Sequence, residues 1–198
     1  METTASRILD ASTNQFFERG YHGASMKELA EEAGIRSATL YYHFPNKEAL
    51  LVEIMRTTLE ELINVVQRAV SAEADPVAAL STAVTQHIGF HVKRYREVFL
   101  CDAELRVLSA DNRAEIVALR DRYEAIFRST LRDGQAAGAL VVPDVDLVTR
   151  SLLASCSGVA FWFRPGGAMT VEQVSDAYVT LFLRALQATP DRGASHSG

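Results

Sequence analysis

The chain has 198 residues, and its 20 Lys and Arg stand against 25 Asp and Glu for a net charge of −5. That balance excludes a protein that holds nucleic acid through overall positive charge and confines any such contact to a local surface. With 48% apolar and 23% charged residues, the chain has material for a core, which excludes disorder along its whole length.

Two cysteines, Cys101 and Cys156, lie far apart without a C-x-x-C spacing, which excludes a secreted disulfide framework and a zinc finger. The opening METTASRILDAS has no basic stretch followed by an apolar one, so it is no signal peptide. No run of about 18 uncharged apolar residues occurs, so no membrane partner is expected. The expected location is the cytoplasm.

The periodicity is helical throughout. Ile8, Leu9, Phe16 and Phe17 form the stripe of a first helix that Gly20 ends. Ser25-Met26-Lys27-Glu28 is a capping box, with Ala24 and Leu29 placed as a hydrophobic staple, and Gly34 closes this second, short helix. Arg36 to Phe44 forms a third, broken by Pro45. Asn46 caps a long helix striped by Leu51, Met55, Leu62 and Val66. Asp75-Pro76 opens another. Ile116, Leu119, Tyr123 and Phe127 stripe a further one, punctuated by Gly134, Gly138 and Pro143. Asp144 caps a segment from Val145 to about Phe163. After the loop Arg164 to Gly167, a second capping box, Thr170 to Gln173, starts a last helix with Val174, Tyr178, Leu181 and Leu186. Ala139 to Val142 is too short for a persuasive strand. The pattern predicts an all-α protein of about nine helices, with a change from short to long helices near residue 46 and a disordered tail over 189–198.

The motifs of the common catalytic classes are absent: there is no G-x-S-x-G, P-loop, G-x-G-x-x-G or H-E-x-x-H. No enzyme activity and no cofactor are expected. His87 and His91 share a helix face, but Ile88 stands where a metalloprotease helix carries glutamate and no third ligand is apparent, so ordinary histidines are favoured over a metal site. Cys101, in Val98 to Cys101 with Asp102 as its nearest charge, reads as a small buried residue rather than a reactive thiol. Phe161, Trp162 and Phe163 suit a core or a dimer interface, though Arg164 beside them suits an acidic ligand.

The strongest local signal is Ser25 to Lys47. A helix from Arg36 to His43 is about 12 Å long and suits a major groove about 12 Å wide. Leu40 and Phe44 pack inward, which leaves Arg36, Thr39, Tyr42 and His43 to meet base edges and phosphates. Lys47, at the first position of the next helix, adds its charge to free backbone N–H groups as a phosphate site. The simpler alternative is a plain helical hairpin. Residues 1–50 hold five basic against seven acidic side chains, so a DNA contact requires the acids to face elsewhere.

The runs Arg7 to Ala11, Phe16 to Tyr21, Ser25 to Ala30, Ala33 to Ile35, Thr39 to Phe44 and Lys47 to Leu50, in this order and spacing, closely resemble the TetR family of bacterial transcriptional regulators. The resemblance implies a homodimer. Residues 1–46 would form a three-helix helix-turn-helix DNA-binding domain and 47–188 a ligand-binding and dimerisation domain. It implies DNA contacts from Ser25, Lys27, Arg36, Ser37, Ala38, Thr39, Tyr41, Tyr42, His43 and Lys47. Where many members carry Ser-Lys-Gly-Thr, this chain has Arg36-Ser37-Ala38-Thr39, which moves the basic residue one place back, about 100° around the helix. Phe161 to Gly167 followed by a capped last helix looks like TetR-family regulators of fatty-acyl or other CoA-thioester catabolism.

These features together lead to a repressor of a near-palindromic double-stranded operator, released by a small, mostly apolar effector such as a CoA thioester. A helical carrier protein and a transcriptional activator are the alternatives. The expected effector residues are His87, Phe90, His91, Phe99, Glu104, Arg106, Tyr123, Phe127, Trp162 and Arg164. The last helices are apolar on more than one face, and Leu152, Val159, Trp162, Val174, Leu181 and Phe182 are expected at a four-helix interface between two copies.

Overall fold

The computed structural model describes residues 3–187; the tail expected over 189–198 lies outside the described residues. In chain order the helices are α1 (Thr4–Gly23), α2 (Met26–Glu32), α3 (Ser37–His43), α4 (Lys47–Ser71), α5 (Pro76–Lys93), α6 (Tyr95–Ala103), α7 (Ala110–Ala136), α8 (Val145–Ser157), α9 (Val159–Trp162) and α10 (Val171–Gln187), with a 3₁₀ turn at Leu105–Val107. No strand occurs among the described residues.

The helix ends follow the local chemistry. Thr3 Oγ1 accepts from Ser6 N at 3.1 Å to open α1, and Gly20, at φ 73° and ψ 160°, breaks it. The box at α2 is complete: Glu28 N donates to Ser25 Oγ and Ser25 N donates to Glu28 Oε2 at 3.0 Å. Ala24 and Leu29, which flank the box, are both buried, as a staple requires. Gly34, at φ 65°, ends α2 while Ile35 N reaches Ala30 O and Gly34 N reaches Glu31 O, a Schellman closure. Asn46 Oδ1 accepts from Ala49 N at 2.8 Å, Asp75 Oδ2 from Ala78 N at 2.9 Å and Asp144 Oδ1 from Leu147 N at 2.8 Å. Thr170 and Gln173 exchange both bonds of the second box.

Three local expectations change. Gly134 does not terminate α7: it lies inside the helix, where a Cβ would stand 2.5 Å from Leu140 Cδ1. Gly138, at φ 69°, closes the helix, with Ala139 N bonded to Gly134 O. The segment expected as one helix to Phe163 splits at Gly158, after which Phe161 N bonds Gly158 O in a tighter turn. Helix α6 and the 3₁₀ turn carry no side-chain cap and no strong apolar stripe, so nothing in the sequence marked them.

The chain forms two compact units, and each is discontinuous, whereas the sequence pattern places one boundary after residue 46. The first draws on residues up to Asn64 and on Lys93–Tyr123. In it α6 packs on α1: Phe17 meets Tyr95 edge-on at 5.3 Å and Phe99 at 5.2 Å, and Arg96 Nη1 donates to Asn14 Oδ1. The aromatic contacts explain why α6 joins the N-terminal helices although it is distant in sequence. Its core includes Ile8, Phe16, Leu40, Leu50, Leu51, Met55 and Ile116, all fully buried. The second unit draws on Val65–Val92 and on residues from Glu124 onward. Its core includes Leu80, Phe127, Leu131, Leu152, Cys156 and Val159. The extended stretch after α7 alternates, with Leu140 and Val142 buried and Val141 exposed, and Val141 N donates to Leu186 O at 2.6 Å.

Candidate nucleic-acid interface

Helix α3 is a seven-residue helix, about 10 Å long, whose inner side is anchored by Leu40 at 0% exposure. The remaining positions divide as an amphipathic helix requires: Arg36, Ser37, Ala38, Tyr41, Tyr42 and His43 are exposed, while Thr39 and Phe44 are half-buried. Tyr42 stands 86% exposed and Tyr41 53%, a large aromatic display for one short helix. Arg36 occupies the N-cap without using its side chain there, so its guanidinium remains available.

The acidic side chains are largely committed elsewhere. Glu28 is held by Ser25 and by Arg19 Nη1 at 3.2 Å, and its hydrogen bonds from Ser25 hold its carboxyl below the usual range. Glu32 accepts from Gln15 Nε2 at 2.6 Å. Glu48 accepts from Ser109 N and Asn112 Nδ2, which likewise lowers its carboxyl. Lys27 is exposed and meets Glu31 at 3.8 Å.

Two members of the expected contact set are put to other uses. Ser25 is spent on its cap, with Oγ donating to Glu28 Oε2 at 2.6 Å. Lys47 was expected at a phosphate, but its Nζ donates to the carbonyls of Tyr21 and Ala24, at 2.8 Å each, and lies 4.6 Å from the Tyr21 ring centroid. The ammonium braces the turn between α1 and α2 because two backbone acceptors and an aromatic face converge on it.

Of the expected effector residues, the second unit gathers four. His87 and His91 stack at 3.8 Å and are buried, with Phe127 edge-on to His87 at 6.0 Å and Phe90 beside His91 at 6.4 Å. Ser157 Oγ lies 3.1 Å from His87 Nε2 and 3.3 Å from His91 Nε2. His91 Nδ1 must donate to the His87 carbonyl at 2.9 Å, so its neutral ring accepts at Nε2 from the Ser157 hydroxyl, whose oxygen in turn accepts from His87 Nε2–H. Burial pushes His91 down to about 4, and burial with the neighbouring His91 holds His87 well below the usual range. Ser157, 70 residues from His87, was not among the expected residues, and no motif in the sequence marks it.

The other expected effector residues go elsewhere. Phe99 packs on Phe17, and Glu104 Oε1 accepts from Tyr21 N at 3.4 Å. Tyr123 is buried in the first unit's core, and Arg106 is exposed on the 3₁₀ turn. Trp162 is 50% exposed, and Arg164 Nη1 donates to the carbonyls of Phe161 and Phe163. Among the described residues no group of three His, Cys, Asp or Glu is arranged to hold a metal, and no helix is long and apolar enough to cross a membrane. Burial also lifts the Cys101 and Cys156 thiols to about 12, which makes both unreactive.

The expected dimer set needs correction. Leu152, Val159 and Val174 are at 0%, 0% and 2% exposure, on the inward faces of α8, α9 and α10, so they belong to the protomer's own core. Leu181 is exposed and Phe182 half-buried, and the apolar surface also includes Leu147, Phe161 and Trp162.

Residues 8–54 match the family described as bacterial regulatory proteins, tetR family, and residues 73–186 match the tetracyclin repressor-like C-terminal domain. The chain belongs to the TetR family. It is similar to PfmR of Thermus thermophilus, at 36% identity and a TM-score of 0.83, over 90% of this chain and 97% of that one. It is also similar to the transcriptional repressor KstR2 of Rhodococcus jostii, at 28% identity over 91% of this chain and 90% of the relative. AibR, solved with isovaleryl coenzyme A and operator DNA, matches at 28% identity and a TM-score of 0.83, over 90% and 97% of the two chains. This TetR-family protein is therefore an all-α DNA-binding transcriptional regulator.

Proposed function

We propose that this regulator is a repressor that binds a near-palindromic operator as a homodimer and releases it when the uncharged acyl end of a CoA thioester, or a similar mostly apolar molecule, occupies the second unit. The observation that carries the DNA part is the outward display of Arg36, Ser37, Ala38, Tyr41, Tyr42 and His43 around a single buried anchor, Leu40. Thr39 sits at the edge of that display, and Lys27 of α2 flanks it; in a two-fold pair these faces would enter successive major grooves about 34–36 Å apart.

The effector class follows from the chemistry of the His87–Ser157–His91 centre. It is polar and hydrogen-bonding but holds both imidazoles neutral, with Phe90 and Phe127 beside it. The N–H and O–H donors of the trio are committed to one another and to the His87 carbonyl, so such surroundings suit an apolar chain and penalise a carboxylate, whose charge would meet no cation there. A histidine pushed to about 4 is also a weak general base, which speaks against catalysis at Ser157. The likeness to AibR with isovaleryl coenzyme A supports this class. For the dimer, Leu147, Phe161, Trp162 and Leu181 are more apolar surface than a lone protomer of this size needs to expose.

The test is selection of operator duplexes from a random pool by the full chain, followed by fluorescence anisotropy with isovaleryl-CoA, isovalerate and free CoA as competitors. An inverted-repeat duplex released by the thioester alone is expected, with Arg36→Ala and Tyr42→Ala weakening binding while leaving the melting temperature unchanged. Enrichment of no duplex overturns the operator reading; equal release by thioester and carboxylate overturns the effector class.

A further inference from the structure

Two consecutive residues in the first turn of α4 tie the DNA-binding helices to the start of α7. Lys47 Nζ bonds the carbonyls of Tyr21 and Ala24, which bracket the turn between the Gly20 break and the Ser25 cap of α2. Glu48 Oε1 accepts from Ser109 N and from Asn112 Nδ2, both at 2.7 Å. Ser109 stands immediately before α7, and its carbonyl accepts from Arg113 N. Tyr21 is clasped on both sides, its N–H donating to Glu104 Oε1 and its carbonyl accepting from Lys47. The bonds therefore close a ring: Glu104 to Tyr21, Tyr21 to Lys47, along the backbone to Glu48, across to Ser109, and back through the 3₁₀ turn to Glu104.

We infer that Glu48 is a positioning residue for operator binding, which fixes the orientation of α2 and α3 to the start of α7 through this ring. In a closed ring, with the Lys47 bond at 2.8 Å, the Glu48 bonds at 2.7 Å and the Tyr21–Glu104 bond longer at 3.4 Å, the rotation of one member is opposed by the others. Because the Glu48 bonds end on Ser109 and Asn112, a shift at the start of α7 reaches α4's first turn directly. Glu48 is the link in the ring that joins α4 to α7 by a side chain. The oxygen that accepts two donors is what matters at Glu48, since Asn112 Nδ2–H and the Ser109 N–H both end on the same atom. This assignment rests on α3 being the operator helix, as proposed above.

The experiment uses the full chain with Glu31→Cys and Glu115→Cys, both exposed, carrying spin labels; the native thiols of Cys101 and Cys156 are buried and do not compete. Labelled protein is diluted with unlabelled protein so that only the distance within one protomer is read, and the selected duplex is titrated in parallel. A narrow distance distribution is expected for the parent protein. Glu48→Ala should broaden it and weaken operator binding about tenfold, the scale of the two hydrogen bonds it removes. Glu48→Gln keeps an accepting oxygen at that place and should restore both readouts to within about twofold. Asn112→Ala should act in the same direction as Glu48→Ala, and it carries the test if that variant does not fold. Unchanged distance and affinity in the alanine variants, or a glutamine variant as impaired as the alanine one, overturns the inference. If the parent protein enriches no duplex, the operator reading fails, while the distance comparison still decides the role of Glu48.

Discussion

Lowering the pH should destabilise this regulator in a window set by the buried histidines rather than by its carboxylates. In the unfolded chain His87 and His91 titrate near the ordinary 6.5, whereas in the folded protein burial moves His91 down to about 4 and holds His87 well below its usual value. The folded state therefore takes up fewer protons than the unfolded state between those values, and stability falls as pH falls through that range. Well above pH 6.5 both rings are neutral in either state and the dependence is flat. For His91 the full displacement is worth about 3 kcal/mol, of which about 2 kcal/mol is lost by pH 5. His87 adds to this in the same direction. For a chain of this length, 2 kcal/mol lowers the melting temperature by about 4–8 °C. Urea unfolding followed by circular dichroism at pH 7.5, 6.5, 5.5 and 5.0 measures the slope, with His91→Gln as the comparison. The variant should have a visibly flatter dependence over that interval. Parallel slopes for the parent and His91→Gln would refute the reasoning, because they would assign the acid sensitivity to other groups.

Three further outcomes follow from local geometry. Ser25→Ala removes the acceptor for Glu28 N and should cost about 1 kcal/mol in urea unfolding. Gly134→Ala and Gly89→Ala should have opposite signs: the first drives a Cβ to 2.5 Å from Leu140 and should cost about 1–3 kcal/mol, while the second meets nothing within 4 Å in a helix interior and should gain up to about 1 kcal/mol in the same assay. Leu181→Glu, at a position 60% exposed in the protomer, should shift a dimer to monomer in sedimentation at micromolar concentration with the helical signal intact, and an unaltered dimer would remove α10 from the interface.

The elements legible in the sequence are those whose cause is local. The capping boxes at Ser25 and Thr170 and the side-chain caps at Asn46, Asp75 and Asp144 operate within three residues, so their letters carry the geometry. The outward face of α3 was readable for a related reason, since one buried leucine sets the phase of a seven-residue helix. What stayed hidden depended on partners far along the chain. The bonds of Lys47 to the backbone carbonyls of Tyr21 and Ala24 are announced by no side-chain pattern. Gly134 looked like a helix end because the residue that needs its missing side chain, Leu140, lies beyond the true end at Gly138.

The misassigned dimer residues show the same limit at larger scale. A helix that contributes both to a protomer core and to an interface carries two apolar stripes, and composition counts them together. In α10, Val174 and Leu186 are buried while Leu181 is exposed, and in α8, Leu152 is buried while Leu147 is exposed. The hydrophobic excess was legible, but its division was not, because which stripe faces inward is set by where the other helices of the unit lie. The same logic bears on the proposed effector site. His87 and His91 announced themselves by an i, i+4 spacing, yet their chemistry is decided by Ser157, which fixes both tautomers by offering one proton and one lone pair between two rings. A cation in that place would favour an acidic group; a serine leaves the trio uncharged, and under the proposed reading that is what disfavours a free acid there. The neutrality of the trio is thus carried by a residue whose position in the sequence gave no sign of it.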